Sequence, residues 1–177
     1  MAVGLKPFLF HAAPWLGQNQ QYFYNRQRAM VRAKLLAQPR QRGPQGGVLA
    51  TPVNVARLLV TVLGCELKEI PDHAGSFINL PPADGDRCPL TGAATFADAL
   101  AVVLADPDRA GWLQSIRVDR APIFAATITW EDPDTHEDQE SRFGAAGAVA
   151  NVVNTYTLQG FVVGQFAIYL NDPDRED

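Results

Sequence analysis

Between Met1 and Cys65 the chain has no acidic residue. The same stretch holds eight bases: Lys6, Arg26, Arg28, Arg32, Lys34, Arg40, Arg42 and Arg57. The remainder carries seven Lys and Arg against nineteen Asp and Glu. The overall charge of −4 therefore hides a first third near +8 and a remainder near −12. Other scarcities exclude whole classes. Two cysteines, Cys65 and Cys88, are too few for a disulfide scaffold and read as free thiols of a reducing compartment. No apolar run approaches the roughly 20 residues that cross a bilayer. The opening MAVGLKPFLFHAAPWLGQ has one lysine and a short apolar stretch, but His11, Pro14 and Trp15 interrupt it, against a secretory leader. These features predict a cytoplasmic protein.

Catalytic patterns are missing too. Ser76, Ser115 and Ser141 lack a nucleophile-elbow context, and only three histidines are present to serve as a base. RGPQGG is glycine-rich but lacks the Gly-Lys-Ser/Thr ending of a phosphate-binding loop. Cys65, His73 and Cys88 match no structural zinc spacing. Asp132, Asp134, His136, Asp138 and Glu140 alternate as in the start of a calcium loop. The glycine and the later glutamate of that loop are absent. The expectation is a protein with no cofactor, no metal and no catalytic activity.

What is present is mostly helix signal first and strand signal second. With 47% hydrophobic residues, 177 residues suffice for one domain or for two small ones sharing a core. Residues 1–16, with Phe8, Phe10 and Trp15 among Pro and Ala, read as a packing arm. Residues 18–37 read as a helix with Tyr24, Val31, Leu35 and Met30 inward. Thr51 and Pro52 give a capped start to a helix that Gly64 ends. Residues 66–93, rich in Pro and Gly, read as a surface linker. Thr95 caps a helix to about Leu104, and Asp106–Asp108 make a turn. Residues 114–130 are β-rich, bent at Pro122, and EDPDTHEDQE reads as a hairpin tip. Residues 141–143 begin a return strand and 144–156 read as a helix. TLQGFVVGQFAIYL, apolar on both faces, predicts a central strand. The class is α+β: an N-terminal helical, helix-turn-helix-like half, then a small α/β sheet half. The corresponding regions are 1–65 (basic, helical), 66–93 (linker) and 94–177 (acidic α+β, for dimerisation or partner binding).

The basic segment between the two N-terminal helices, QPRQRGPQGGVLATP, has no acid to oppose it. On the second helix Val55, Leu58, Leu59 and Val62 make the apolar stripe, and Thr51, Asn54, Arg57 and Thr61 the opposite one. Asn and Arg can donate paired hydrogen bonds to base edges in a major groove. Their connection, about thirteen residues, exceeds the 3–4 of a compact helix-turn-helix, so a variant is expected. The other readings of these charges are neutralisation by the acidic half or by a second subunit. Tyr22, Phe23 and Tyr24 beside Arg26 and Arg28 are either base-stacking side chains or helix core plus an interface.

The stretch RAMVRAKLLAQPRQRGPQGGVLATPVNVARLLVTVLG resembles a group of small alphaproteobacterial prophage proteins. The shared features are Leu35–Leu36, an Arg/Gly loop from Arg40 to Gly47, Thr51–Pro52, and Arg57–Leu58–Leu59. TFADALAVVLADP and SIRVDRAPIFAATI fit the group's second half loosely. The loop departs from its pattern, with Gln and Pro in place of Lys and Gly. The resemblance implies a phage accessory or regulatory role and transfers no catalytic residue.

Together these readings predict a phage-type transcriptional regulator that binds double-stranded DNA. Arg28, Arg32, Lys34, Arg40 and Arg42 would hold phosphates, while Asn54, Arg57 and Thr61 would face the bases. Two rivals stand beside it. One is an inhibitor or adaptor that binds a host or phage protein, with an acidic half imitating a phosphate backbone. The other is an oligomeric structural protein. A homo-oligomer is expected in each.

Overall fold

The computed structural model describes residues 3–36, 47–120, 123–144 and 154–172. The described elements run α1 (Leu5–Ala12), a 3-10 turn (Ala13–Leu16), α2 (Gln20–Arg32), α3 (Pro52–Gly64), a 3-10 turn (Leu67–Glu69) and α4 (Ile70–Ile78). They continue with α5 (Phe96–Leu104), α6 (Pro107–Gly111), β1 (Leu113–Asp119), β2 (Ala125–Glu131), β3 (Asp138–Gly144), β4 (Thr155–Gln159) and α7 (Gly160–Asn171). The class is α+β, with helices first and then an antiparallel four-stranded sheet, order β3-β2-β1-β4.

Each strand alternates, so one sheet face is buried and the other polar. The inward rows are Leu158–Ile116–Ile128–Ser141 and Tyr156–Val118–Ala126–Phe143. Thr157, Arg117, Thr127 and Arg142 form one of the outward rows. The helices cover the inward face. Among them α3 is central: Val55, Ala56, Leu58, Leu59, Val60, Thr61, Leu63 and Gly64 are all buried. Thr51 caps it by accepting from the Asn54 amide, as the Thr-Pro start predicts. Thr95 caps α5 in the same way. The acidic stretch 132–137 is the β2–β3 hairpin tip. Cys65 and Cys88 are free and buried.

Four expectations change. The arm at residues 1–16 contains helix α1, with Leu5, Phe8 and Leu9 at most 1% exposed. Pro7 does not prevent it, because first-turn amides have no intrahelical acceptor to lose. The helix at 18–37 is Gln20–Arg32, and its buried face is Phe23, Arg26 and Met30 rather than Tyr24, Val31 and Leu35. The stretch 66–93 includes α4, whose Ile70, Ala74, Phe77 and Ile78 are core residues. A Cβ on Gly64 would meet the Phe77 ring at 2.8 Å, so glycine permits the close crossing of α3 and α4.

The fourth change is the largest. Residues 157–170 are not a central strand. They are the end of β4, an edge strand, followed by α7. A Cβ on Gly160 would land on the Leu113 carbonyl, so only glycine fits where the chain turns from strand to helix. The helix reading for 144–156 falls mostly on residues 145–153, outside the described residues, while Thr155 and Tyr156 belong to β4.

The charge boundary near residue 65 is not a boundary in the core. One buried cluster draws on α1, α3, α4, α5, the sheet and α7. Phe8 and Trp15 meet Phe166, and His11 stacks on Tyr169 at 4.2 Å between ring centroids. The N-terminal residues thus rest on the C-terminal helix.

Candidate nucleic-acid interface

Two kinds of arginine emerge from the basic first third. Some serve the fold and some face solvent. Arg26 serves the fold. It is 2% exposed and sits against the C-terminal end of α3. Its Nη1 donates to the Thr61 carbonyl and, at 2.9 Å, to the Cys65 carbonyl, and its Nη2 donates to the Tyr22 hydroxyl at 2.7 Å. Arg120 approaches the same turn from the other side. Its Nε and Nη2 donate to the Leu63 and Val62 carbonyls at 2.9 and 3.3 Å, and its Nη1 to Glu66 at 2.6 Å. The Arg120 guanidinium lies 3.6 Å from the Tyr156 ring centroid. The last carbonyls of a helix lack intrahelical partners and carry the negative end of its dipole. Two guanidiniums satisfy them here. Burial pushes the Cys65 thiol up to about 11, against the pull of Arg26 and Arg120, so it stays protonated and unreactive at neutral pH.

The stripe expected to read bases is also taken up inside the molecule. Thr61 is fully buried, its hydroxyl 2.8 Å from the Leu58 carbonyl and 3.4 Å from Met30 Sδ. It cannot reach a groove. Arg57 is half-buried and donates through Nη1 to the Leu35 carbonyl at 3.1 Å. Asn54 donates to the Leu49 carbonyl at 2.9 Å. These two side chains hold the chain on either side of the Arg/Gly segment, supplying donors to backbone carbonyls that need them. The polarity of the stripe was legible; the acceptors that the structure shows for it belong to this chain. Arg40 and Arg42 lie outside the described residues.

The solvent-facing bases lie on α1, on α2 and just past the end of α2. Arg28, Arg32 and Lys34 are exposed, and so is Lys6 of α1, which the sequence reading did not select. Tyr24 joins the two helices. Its ring centroid is 5.1 Å from Lys6 Nζ and 5.7 Å from the Arg28 guanidinium carbon. Lys6 Nζ is also 5.5 Å from the Phe10 centroid. Arg28 and Arg32 are one turn apart on the helix surface. Among the described residues none of these four bases is in an ion pair with a carboxylate. Of the aromatic trio, Phe23 is core, Tyr22 holds Arg26, and only Tyr24 joins the cationic face.

Lys34 has φ +58, in the left-handed region. Its amide donates to the Val31 carbonyl at 3.1 Å and the next amide, Leu35, to Met30 at 2.9 Å. That pair of bonds is a Schellman ending, whose left-handed position usually holds glycine. We expect Lys34→Gly to stabilise the fold by about 0.5–1 kcal/mol in urea denaturation, through relief of that conformation. The same variant should weaken binding to any polyanion that the face contacts.

The acidic hairpin tip contains no cluster able to hold a metal, and none occurs elsewhere among the described residues. Asp132 accepts the Asp134 and Thr135 amides, and these bonds hold its carboxyl below the usual carboxylate range. Its Oδ1 is engaged in shaping the turn. No helix among the described residues is long and apolar enough to cross a membrane. Compared with protein-family models, curated proteins and solved structures, the chain matches none.

Proposed function

We propose that the protein is a nucleic-acid-binding regulator of phage type, not an enzyme, and that it contacts the phosphates of duplex DNA through the α1–α2 face. The observation that carries this reading is the exposed set Lys6, Arg28, Arg32 and Lys34, without an ion pair among the described residues, with Lys6 and Arg28 meeting on Tyr24. Four exposed bases with no carboxylate partner among the described residues, in a chain that is acidic overall, suit an external anion better than internal neutralisation. The engagement of Asn54, Arg57 and Thr61 with the chain itself argues for affinity without base readout by α3. The resemblance to small prophage proteins points the same way, as does a cytoplasmic setting for two free thiols.

The test is an anisotropy titration of a labelled DNA duplex at low salt. Binding with a dissociation constant at or below about 10 µM, steeply weakened by salt and nearly indifferent to sequence, supports the proposal. No binding at that concentration overturns it. Retention of a protein partner from nuclease-treated lysate by a chain that ignores DNA would favour the adaptor reading instead.

A further inference from the structure

The two edges of the sheet are treated differently. The β3 edge is charged, with Asp138, Glu140 and Arg142, and residues 81–83 run beside it. Pro82 bridges Phe143, and the Ala83 amide donates to the Arg142 carbonyl at 2.8 Å. Charge, proline and a covering segment are the usual protections of a sheet edge. Among the described residues the β4 edge has none of them. Its sequence, Thr-Tyr-Thr-Leu-Gln, is uncharged, free of proline and rich in β-forming residues. Among the described residues it pairs only with β1.

The inward side of that edge is unfinished. Tyr156 belongs to an inward row yet is 41% exposed: Arg120 covers its ring, and among the described residues no strand lies beyond it. Under the edge is a cavity of about 380 Å³, between the sheet and the helices, of mixed lining: apolar Trp15, Leu63 and Val162 beside polar Gln18, Glu66 and Arg120. One residue past the strand, Phe161 is 73% exposed. A strand added at β4 would extend the ladder and carry its inward side chains over this cavity.

We infer that the occupant is β4 of a second copy, paired antiparallel about a two-fold axis at Thr157. The strand is complementary to itself. In that register Thr157 faces the partner's Thr157, and Tyr156 faces the partner's Leu158. Both inward side chains of each strand then lie toward the other copy's cavity, where Trp15, Leu63 and Val162 offer apolar contact. The outward side chains are Thr155, Thr157 and Gln159, neutral and free of repulsion across the axis. The contact is isologous and closes at two subunits, giving one eight-stranded sheet. The axis is perpendicular to the sheet, so both helical layers, with both α1–α2 faces, lie on one side. A carrier of phosphates would then meet two cationic faces together, but the pairing does not depend on DNA binding.

The experiment is mass measurement by light scattering on the full chain, across a dilution series up to about 100 µM. The wild-type chain should be a dimer at the upper end. Thr157 is exposed on the polar side of the sheet, so Thr157→Lys and Thr157→Glu leave the core intact, which circular dichroism would verify. Each variant alone places like charges across the axis and should weaken the dimer about tenfold or more. An equimolar mixture of the two should restore a dimer, because opposite charges then face each other. That restoration separates loss of this interface from general damage to the fold. A wild-type monomer throughout the series overturns the inference. So does unchanged dimerisation of Thr157→Lys, or a mixture that remains monomeric.

Discussion

Arg26→Ala should lower the stability of the folded chain by about 3–5 kcal/mol, read as a fall in urea midpoint with the slope preserved. The substitution removes a large buried side chain and three hydrogen bonds at once. It leaves the Cys65 carbonyl and the Tyr22 hydroxyl without their donor, and it empties the space between α2 and the end of α3. A domain of this size has only about 5–15 kcal/mol in hand. Arg26→Lys should recover part of the loss, since an ammonium carries the charge but cannot span both carbonyls and the hydroxyl in one plane. Arg120→Ala should do less damage, about 1–3 kcal/mol, because water reaches its side chain, 11% exposed, and Glu66, 57% exposed, more easily. The two guanidiniums grip adjoining carbonyls of one turn, so the double variant should depart from additivity. A surface-like loss below about 0.5 kcal/mol for Arg26→Ala would contradict this account of the α3 terminus.

The role of Arg26 has a trace in the sequence. Phe23, Arg26 and Met30 recur at intervals of three and four, the spacing of one helical face. An arginine there is easily counted with Arg28 and Arg32 as surface charge. What turns it inward is the end of α3, thirty-five residues further along the chain at Thr61, whose carbonyls need donors. Caps and turns were legible, because a few neighbouring residues specify them, whereas helices α1 and α4 were not. Thr51–Pro52, Thr95 and the acidic hairpin tip each specify their own geometry. The basic asymmetry before Glu66 was legible as well, and its exposed members among the described residues are Lys6, Arg28, Arg32 and Lys34. The strand assigned to residues 157–170 shows the opposite case. A run apolar on both faces fits a central strand and a helix packed on several sides equally well. The choice is made by the close approach of Gly160 to Leu113, a contact between segments far apart in sequence. Lys6 was passed over for a similar reason: α1 had to be a helix before Lys6 could lie beside Tyr24.

Replacing Arg28 and Arg32 together by Glu should weaken duplex binding by about 100-fold or more at low salt, and leave the fold unchanged. Both side chains are exposed on α2, and neither is paired with a carboxylate among the described residues, so reversal breaks no internal bridge. The more diagnostic variant is the neutral one, Arg28→Ala with Arg32→Ala. If each guanidinium displaces one counterion from DNA, the slope of log affinity against log salt becomes shallower by about 2. The loss should be the same on unrelated duplexes, because phosphate contacts carry no sequence information. Arg57→Ala supplies the contrast. Its guanidinium is bonded to the Leu35 carbonyl, so its removal should cost about 1–2 kcal/mol of folding stability and leave the salt slope where it was. A base-reading Arg57 would do the reverse: discrimination at one base pair would fall by about 1–3 kcal/mol while the urea midpoint held. An unaltered salt slope in the Arg28 and Arg32 variant would remove the α1–α2 face from the binding surface.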